Sequence, residues 1–207
     1  MMTPIVVDVG THSTRVGWSG HDQPKFNVDR KDTNPLPDDL FDIVYSRLTR
    51  DPPSGHPVIA TVPVLASKTL KKEYYETFME QWQVPAMFLA DTAVVSLFAI
   101  GKTSGQCIDM GASHVTVSQI SKGETVSSHS TLPGDEMRIS PMNTLLTGGA
   151  SSGAEKRIKE HLNGEELFSF KAVTNRTHSG FLGASLLSSL SSFSCLFTRD
   201  VYSEKGI

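Results

Sequence analysis

Two short segments of the sequence combine residue types that suit phosphate and Mg²⁺. "VVDVGTHSTRVG" and "CIDMGASHVTVS" each run from an apolar strand into Asp-x-Gly, at Asp8 and Gly10 and again at Asp109 and Gly111. A single Asp-x-Gly is typical of an ordinary hairpin, since both residues tolerate turn geometry. Two like loops that face each other indicate a different use. Their backbone N–H groups would hold a phosphate chain from both sides, and the two carboxylates a hydrated Mg²⁺.

The elements that must position these loops alternate between strands and helices. Strands over 4–9 and 15–19 flank the first turn, and a polar, proline-containing connection over 21–37 follows. Further strands are predicted over 56–64, 84–90 and 167–173, and a second hairpin after residue 105. Helices are predicted to start near Pro37 and to cover 68–82, 91–101 and 181–197. A strand, a Gly-Gly turn and a helix ending at Gly164 follow the second hairpin. Such alternation predicts an α/β fold with helices packed on sheets.

Three of these helices carry apolar positions at helical spacing, which predicts the faces that they bury. Leu40, Val44 and Leu48 mark the first helix. Ser67 is expected to cap the helix over 68–82, and Asp91 and Gly101 to begin and end the next one. The buried stripes are then Leu70, Tyr74, Phe78 and Trp82 in the helix over 68–82, and Leu182, Leu186, Leu190 and Phe193 in the serine-rich helix over 181–197.

The amino-acid composition limits the classes of protein to which this chain can belong. The 207 residues are 38% hydrophobic and carry a net charge of −3, which is typical of a globular protein and argues against a nucleic-acid-binding surface. Cys107 and Cys195 have no metal-ligand neighbours at useful spacing, so a reducing, intracellular compartment is expected. The N-terminus shows no secretory pattern, and the run "FLGASLLSSLSSFSCLF" is too polar to cross a bilayer.

Several blocks of the chain resemble the actin family in collinear order. "IVVDVGTHSTRVGWSGHDQPKF" is similar to the first phosphate loop of actin. The segment that begins with "HPVIATVPV" and ends with "GQCIDMG" is similar to the part of actin that ends in its second phosphate loop. "MNTLLTGGAS" resembles the strand and Gly-Gly turn beside the adenine, and "GFLGASLLSSLSSF" and "YSEKG" resemble the closing helix and tail. The resemblance implies the α/β actin-like fold that is shared with hexokinase-type ATPases.

The resemblance also implies a reduced domain organisation. Residues 1–104 and 178–207 correspond to the first subdomain of actin, and residues 105–177 to a remnant of the third. The second and fourth subdomains have no counterpart, because 21–37 stands where actin has a whole subdomain and "STLPGDEMRISPMNTLL" passes almost directly to the adenine-side strand.

The residues that match the nucleotide site of the family are expected to form vestigial loops. The site carried over by the resemblance binds ATP or ADP with Mg²⁺, and its matching positions are Asp8, Gly10, Thr11, Arg15, Asp109 and Gly111 at the phosphates, and Gly148 and Gly149 beside the adenine. Arg15 stands for the lysine of the family, and four further positions depart from the family pattern. His12 and Ser113 each stand in place of a glycine, Ala112 in place of an aspartate, and Thr92 in place of the glutamine that positions water. We therefore expect no catalytic residue, no metal site and no tightly bound nucleotide.

These departures favour a non-catalytic scaffold subunit of a larger assembly over a nucleotide-binding switch. A filament-forming actin is less favoured, because filament contacts use the missing subdomains. The expected partner is a protein helix, held between the first-subdomain body and the remnant of the third, and neither nucleic acid nor membrane. Its expected lining is Tyr75, Phe78, Met79, Phe88, Phe181 and Leu182, and the alternative for these residues is core packing. The expected location is the cytoplasm or cytoskeleton, including cilia, with the nucleus as the alternative.

The histidines beside the two loops have two interpretations. His12 and His114 would face each other across the gap if the loops do, and so approach a common ligand. We favour simple local hydrogen bonding, because a metal site needs more ligands than these two.

Overall fold

Two mixed β-sheets with helices packed on them make up the fold. The computed structural model describes residues 2–30, 34–149, 154–162, 166–169 and 176–205. The first sheet has the strand order β11-β5-β4-β1-β2-β3 and the second the order β10-β9-β6-β7-β8. No helix within these ranges is long and apolar enough to cross a membrane.

The first sheet is built around three parallel strands. Its strands are β1 (Ile5–Val9), β2 (Ser13–Trp18), β3 (Phe26–Asp29), β4 (Val58–Val62), β5 (Ala86–Asp91) and β11 (Phe197–Thr198). β1 pairs in parallel with β4, and β4 with β5. Every residue of β1 and β4 is buried, as expected for strands covered on both faces.

The predicted connection over 21–37 is wrong in part, because it contains β3. Phe26 and Val28 are half-buried and alternate with exposed Asn27 and Asp29. This alternation is the pattern of a strand at the edge of a sheet. β3 pairs antiparallel with β2, with Phe26 opposite Val16, so the first turn belongs to a three-stranded meander.

The second sheet repeats the beginning of the first. Its strands are β6 (Gly105–Met110), β7 (Val115–Ser121), β8 (Glu124–Thr131), β9 (Thr144–Thr147) and β10 (Leu167–Ser169). β6 and β7 form an antiparallel hairpin, and β9 runs parallel to β6, just as β4 runs parallel to β1. Residues 170–173 of the predicted last strand and the predicted helix end at Gly164 lie outside the described residues.

All helices but the last follow the predicted order, and the last one was not predicted. The helices are a π-helical segment Asp42–Leu48, α1 (Lys68–Tyr75), which continues as a π-helical segment Glu76–Gln81, α2 (Thr92–Phe98), α3 (Ala154–His161), α4 (Ser179–Ser189) and α5 (Arg199–Lys205). Ser67 Oγ accepts the Leu70 N–H at 3.0 Å, and Asp91 Oδ1 accepts the Ala93 N–H at 2.9 Å. Gly101 follows α2 with a φ of +72°. These predicted helix boundaries are confirmed.

The predicted buried stripe of α1 and its π-helical extension is confirmed. Tyr74 and Phe78 are fully buried, and Leu70 and Trp82 are half-buried against the same core.

The predicted face of the serine-rich helix is wrong at two of its four positions, Leu186 and Leu190. α4 ends at Ser189, and Leu186 and Leu190 are 42% and 55% exposed, while Phe181, Ala184 and Ser185 are completely buried. The reason is that α4 packs closely on α2 by its small residues. A Cβ on Gly183 would lie 1.6 Å from the carbonyl oxygen of Val95. A leucine stripe gives the wrong face where the neighbouring backbone approaches this closely.

Candidate functional site

The two predicted loops adopt the same turn. The Gly10 N–H donates to the Ser13 carbonyl at 3.0 Å, and the Gly111 N–H donates to the His114 carbonyl at 3.0 Å. A Cβ on either glycine would lie 3.1–3.2 Å from that carbonyl oxygen, which is tighter than an ordinary contact. The repeat seen in the sequence is therefore a repeat in three dimensions, and glycine is placed where the turn closes on itself.

The two turns face each other across a single cleft. Thr11 Oγ1 and Ser113 Oγ, one from each turn, are 3.4 Å apart. The cleft has a volume of about 940 Å³. All the predicted site residues line it, namely Asp8, Gly10, Thr11, Arg15, Asp109, Gly111, Gly148 and Gly149. Their roles toward a nucleotide remain predictions.

The carboxylate of Asp8 is fully engaged within the first sheet. Its Oδ2 accepts a hydrogen bond from Arg15 Nη1 at 3.1 Å, and its Oδ1 accepts one from Thr61 Oγ1 at 2.6 Å. Arg15 also donates from Nη2 to Ser13 Oγ at 2.9 Å. Asp8 is only 4% exposed and Arg15 only 8%, so this is a buried ion pair in the floor of the cleft.

The second aspartate titrates differently from an ordinary carboxyl. Burial, together with the negative charge of Asp8, raises the pKa of Asp109 to about 6, although Arg15 opposes the rise. Gly148, with a φ of +89°, lies directly against Asp109, since a Cβ there would be 2.6 Å from Asp109 Oδ1. Burial and the charge of Arg15 also lower the pKa of His178, although the charge of Asp8 opposes this.

The two histidines beside the loops have local partners. His12 Nε2 lies 4.0 Å from Asp29 Oδ1, and His114 Nδ1 lies 3.0 Å from Ser113 Oγ. The described residues contain no cluster of three side chains able to hold a metal ion. The local contacts favour the simpler of the two interpretations.

The side chain of Thr92 also has a structural role. Its hydroxyl donates to the carbonyl of Val62 at 2.9 Å, at the point where β4 ends beside α2. A side chain that is this short and engaged in this way is poorly placed to orient a water molecule in the cleft.

Sequence reasoning missed four polar residues in the floor of the cleft. Thr61 holds Asp8. Ser179 at the start of α4 connects to Ser96 of α2 at 3.1 Å and to Thr147 of β9 by a short hydroxyl contact. Thr61 interrupts the apolar strand β4, and Thr147 ends the buried strand β9, so a hydroxyl in a buried strand was the available signal.

The predicted partner-helix lining is wrong for four of its six residues. Phe78, Met79 and Phe181 are at most 1% exposed, and Leu182 is 9% exposed, so all four belong to the core. Tyr75 and Phe88 are half-buried and pack against Phe197 and Phe193. Aromatic and aliphatic side chains on a core helix are expected to pack inward, and these do.

Two sheets with matching Asp-x-Gly hairpins that face each other across a cleft define an α/β protein with an internal structural repeat. The family model for actin matches residues 31–138, just over half of the chain. The chain belongs to the actin family, and its fold is the actin-like α/β fold.

The similar proteins are actin-related and actin-like proteins of low identity. An actin-related protein 4 of Emericella nidulans is 32% identical over 117 residues, which cover 51% of this chain and 25% of that protein. Actin-like protein 7B of Mus musculus is 25% identical over 140 residues, 63% of this chain and 32% of its own length. An actin-related protein 4 of Yarrowia lipolytica is 24% identical over 231 aligned residues, 84% of this chain and 53% of its own length. The chain spans about half or less of the length of these relatives.

The residues of the cleft fit the nucleotide of the actin-like fold only in part. The turns and the volume suit an anion of nucleotide size, since ligand sites span ~300–1,000 Å³. The carboxylate pair does not suit Mg²⁺. A divalent cation prefers carboxylate oxygens that are open to it, and both oxygens of Asp8 already accept hydrogen bonds. Arg15 would also place a positive charge directly beside the cation.

Proposed function

We propose that this chain is a non-catalytic structural subunit, a scaffold on the actin fold within a larger intracellular protein assembly. One observation carries the proposal. The side chains that would handle Mg²⁺ and water, Asp8 and Thr92, are both engaged by the protein itself. A positioned acid, base or water-orienting group contributes ~10²–10⁴-fold to a rate, so a cleft without one is expected to have negligible activity.

The placement of the scaffold follows from the family. The relatives include actin-related protein 4 and actin-like protein 7B, so a cytoskeletal or nuclear assembly is the natural setting for the chain. Most residues of the predicted helix-binding lining are core residues, so we do not assign the partner surface to them. Among the described residues, Leu186 and Leu190 of the α4 segment form an exposed apolar pair one helical turn apart.

Two measurements on the native chain test this proposal together. Size-exclusion chromatography of the chain from its own cells is expected to give a discrete high-mass complex. A phosphate-release assay with Mg-ATP is expected to give no turnover, with actin as the positive control. A stable monomer that hydrolyses ATP would contradict the proposal.

A nucleotide-binding switch is the second candidate, and the cleft volume of about 940 Å³ favours it. A ligand at ~1,000 times its Kd stabilises a protein by ~4 kcal/mol, which thermal denaturation detects readily. A clear rise in Tm with millimolar Mg-ATP would support this candidate. The matched control is Ala112→Trp, which fills the cleft from an exposed position and should abolish the rise. Sedimentation with Mg-ATP and salt separately tests for filaments.

A further inference from the structure

The guanidinium of Arg15 lies beside the carboxylate of Asp8, where a bound metal cation would otherwise be expected. It donates to Asp8 Oδ2 at 3.1 Å and to Ser13 Oγ at 2.9 Å, and Thr61 donates to the other oxygen of Asp8. An ionised carboxylate this deeply buried requires a compensating charge and hydrogen bonds. Arg15 provides the charge, and together with Thr61 it provides the bonds.

The surroundings of this ion pair leave little freedom for it to rearrange. The Asp8 carboxylate lies against the start of α4, since a Cβ on Gly180 would be 2.9 Å from its Oδ1. The neighbouring Ser179 bonds to Ser96 of α2 and contacts Thr147 of the second sheet. The buried charge pair therefore lies where α4 joins the two sheets.

We propose that Arg15 is a built-in counter-ion that replaces a bound divalent cation in this cleft and stabilises the first-sheet side of the cleft floor without any ligand. The inference deepens the proposed function and rests on it, because a cleft that balances its own charge has no need of a Mg-nucleotide. Without Arg15, the carboxylates of Asp8 and Asp109 would both be left in the cleft, and Asp8 would lose the guanidinium that pairs with it. That arrangement would favour a divalent cation.

The test compares wild type with Arg15→Met, which keeps an unbranched apolar stem and removes the charged guanidinium. Thermal denaturation is measured in millimolar MgCl₂ and in EDTA. The wild-type Tm is expected to be the same in both. The Arg15→Met variant is expected to lose on the order of 10 °C, because it leaves a buried carboxylate unpaired, and to regain part of that loss in MgCl₂.

A second variant keeps the test decisive if Arg15→Met does not fold. Asp8→Asn combined with Arg15→Met removes both charges, so it should fold and be more stable than Arg15→Met alone. Arg15→Lys should lie between wild type and Arg15→Met, since lysine keeps the charge but cannot donate to Asp8 and Ser13 at once.

Two results would overturn the inference. They are a wild-type Tm that rises in MgCl₂, and an Arg15→Met variant as stable as wild type. Neither result depends on turnover or complex size, so the counter-ion role and the scaffold function can fail independently.

Discussion

Replacing Asp109 with asparagine should make the protein less sensitive to pH. The pKa of Asp109 is raised from 3.8 to about 6 by burial and by Asp8. The unfolded chain then ionises at lower pH than the folded chain does. The stability that protonated Asp109 contributes to the folded protein is fully present below pH ~4 and is lost as the pH rises through about 6.

The size of this effect follows from the two pKa values. A tenfold change in proton affinity corresponds to ~1.4 kcal/mol, so a rise from 3.8 to about 6 amounts to about 3 kcal/mol at full effect. Asp109 is only half-buried by its accessible surface, and water in the cleft screens its charge. We therefore expect Asp109→Asn to gain roughly 1–3 kcal/mol relative to wild type between about pH 4 and pH 8.

Urea denaturation across this pH range measures the gain directly. The matched control is Asp22→Asn, which changes an exposed carboxylate in the loop after β2. Its free energy of unfolding, plotted against pH, should run parallel to that of wild type. If the plot for Asp109→Asn were also parallel to that of wild type from pH ~4 to pH ~8, the pKa of Asp109 would not be raised in the folded protein.

Three further substitutions test the packing that positions the cleft, each by urea denaturation. Gly183→Ala should cost ~3 kcal/mol or more, because its Cβ would lie 1.6 Å from the Val95 carbonyl oxygen. Asp91→Ala should cost about 2 kcal/mol, since it removes the cap of α2 and the 2.7 Å bond from Thr125 of β8. Phe78→Ala should cost ~3–5 kcal/mol through the cavity it leaves, because Phe78 is fully buried.

Each of these changes has a control in the same chain. Gly55→Ala adds a Cβ whose nearest neighbour would be 3.6 Å away, so it should change stability little. Ser67→Ala removes one cap and no bond between the sheets, and should cost ~1 kcal/mol. Leu190→Ala removes an exposed side chain and should be nearly neutral. If Gly183→Ala cost no more than Gly55→Ala, α2 and α4 would not cross as closely as described.

Local sequence patterns were sufficient to predict most of the strands and helices. The apolar runs of β1 and β4 predict strands because their residues are β-branched and buried on both faces. Ser67 and Asp91 predict helix starts because a short polar side chain can accept a bond from its own helix. β3 was missed because Phe26 and Val28 are its only two apolar residues, within a polar segment.

The sequence by itself determined the α/β alternation, the paired turns at Gly10 and Gly111, and the residues that line the cleft, because these depend on local sterics and on a repeat that can be read directly. Only the tertiary structure decided what those residues do. Arg15 pairs with Asp8, Thr92 bonds to Val62, and Leu186 of α4 faces outward. The physical reason is that a charge or a hydroxyl acts on whatever lies within about 3 Å of it, and that neighbour comes from a distant part of the chain.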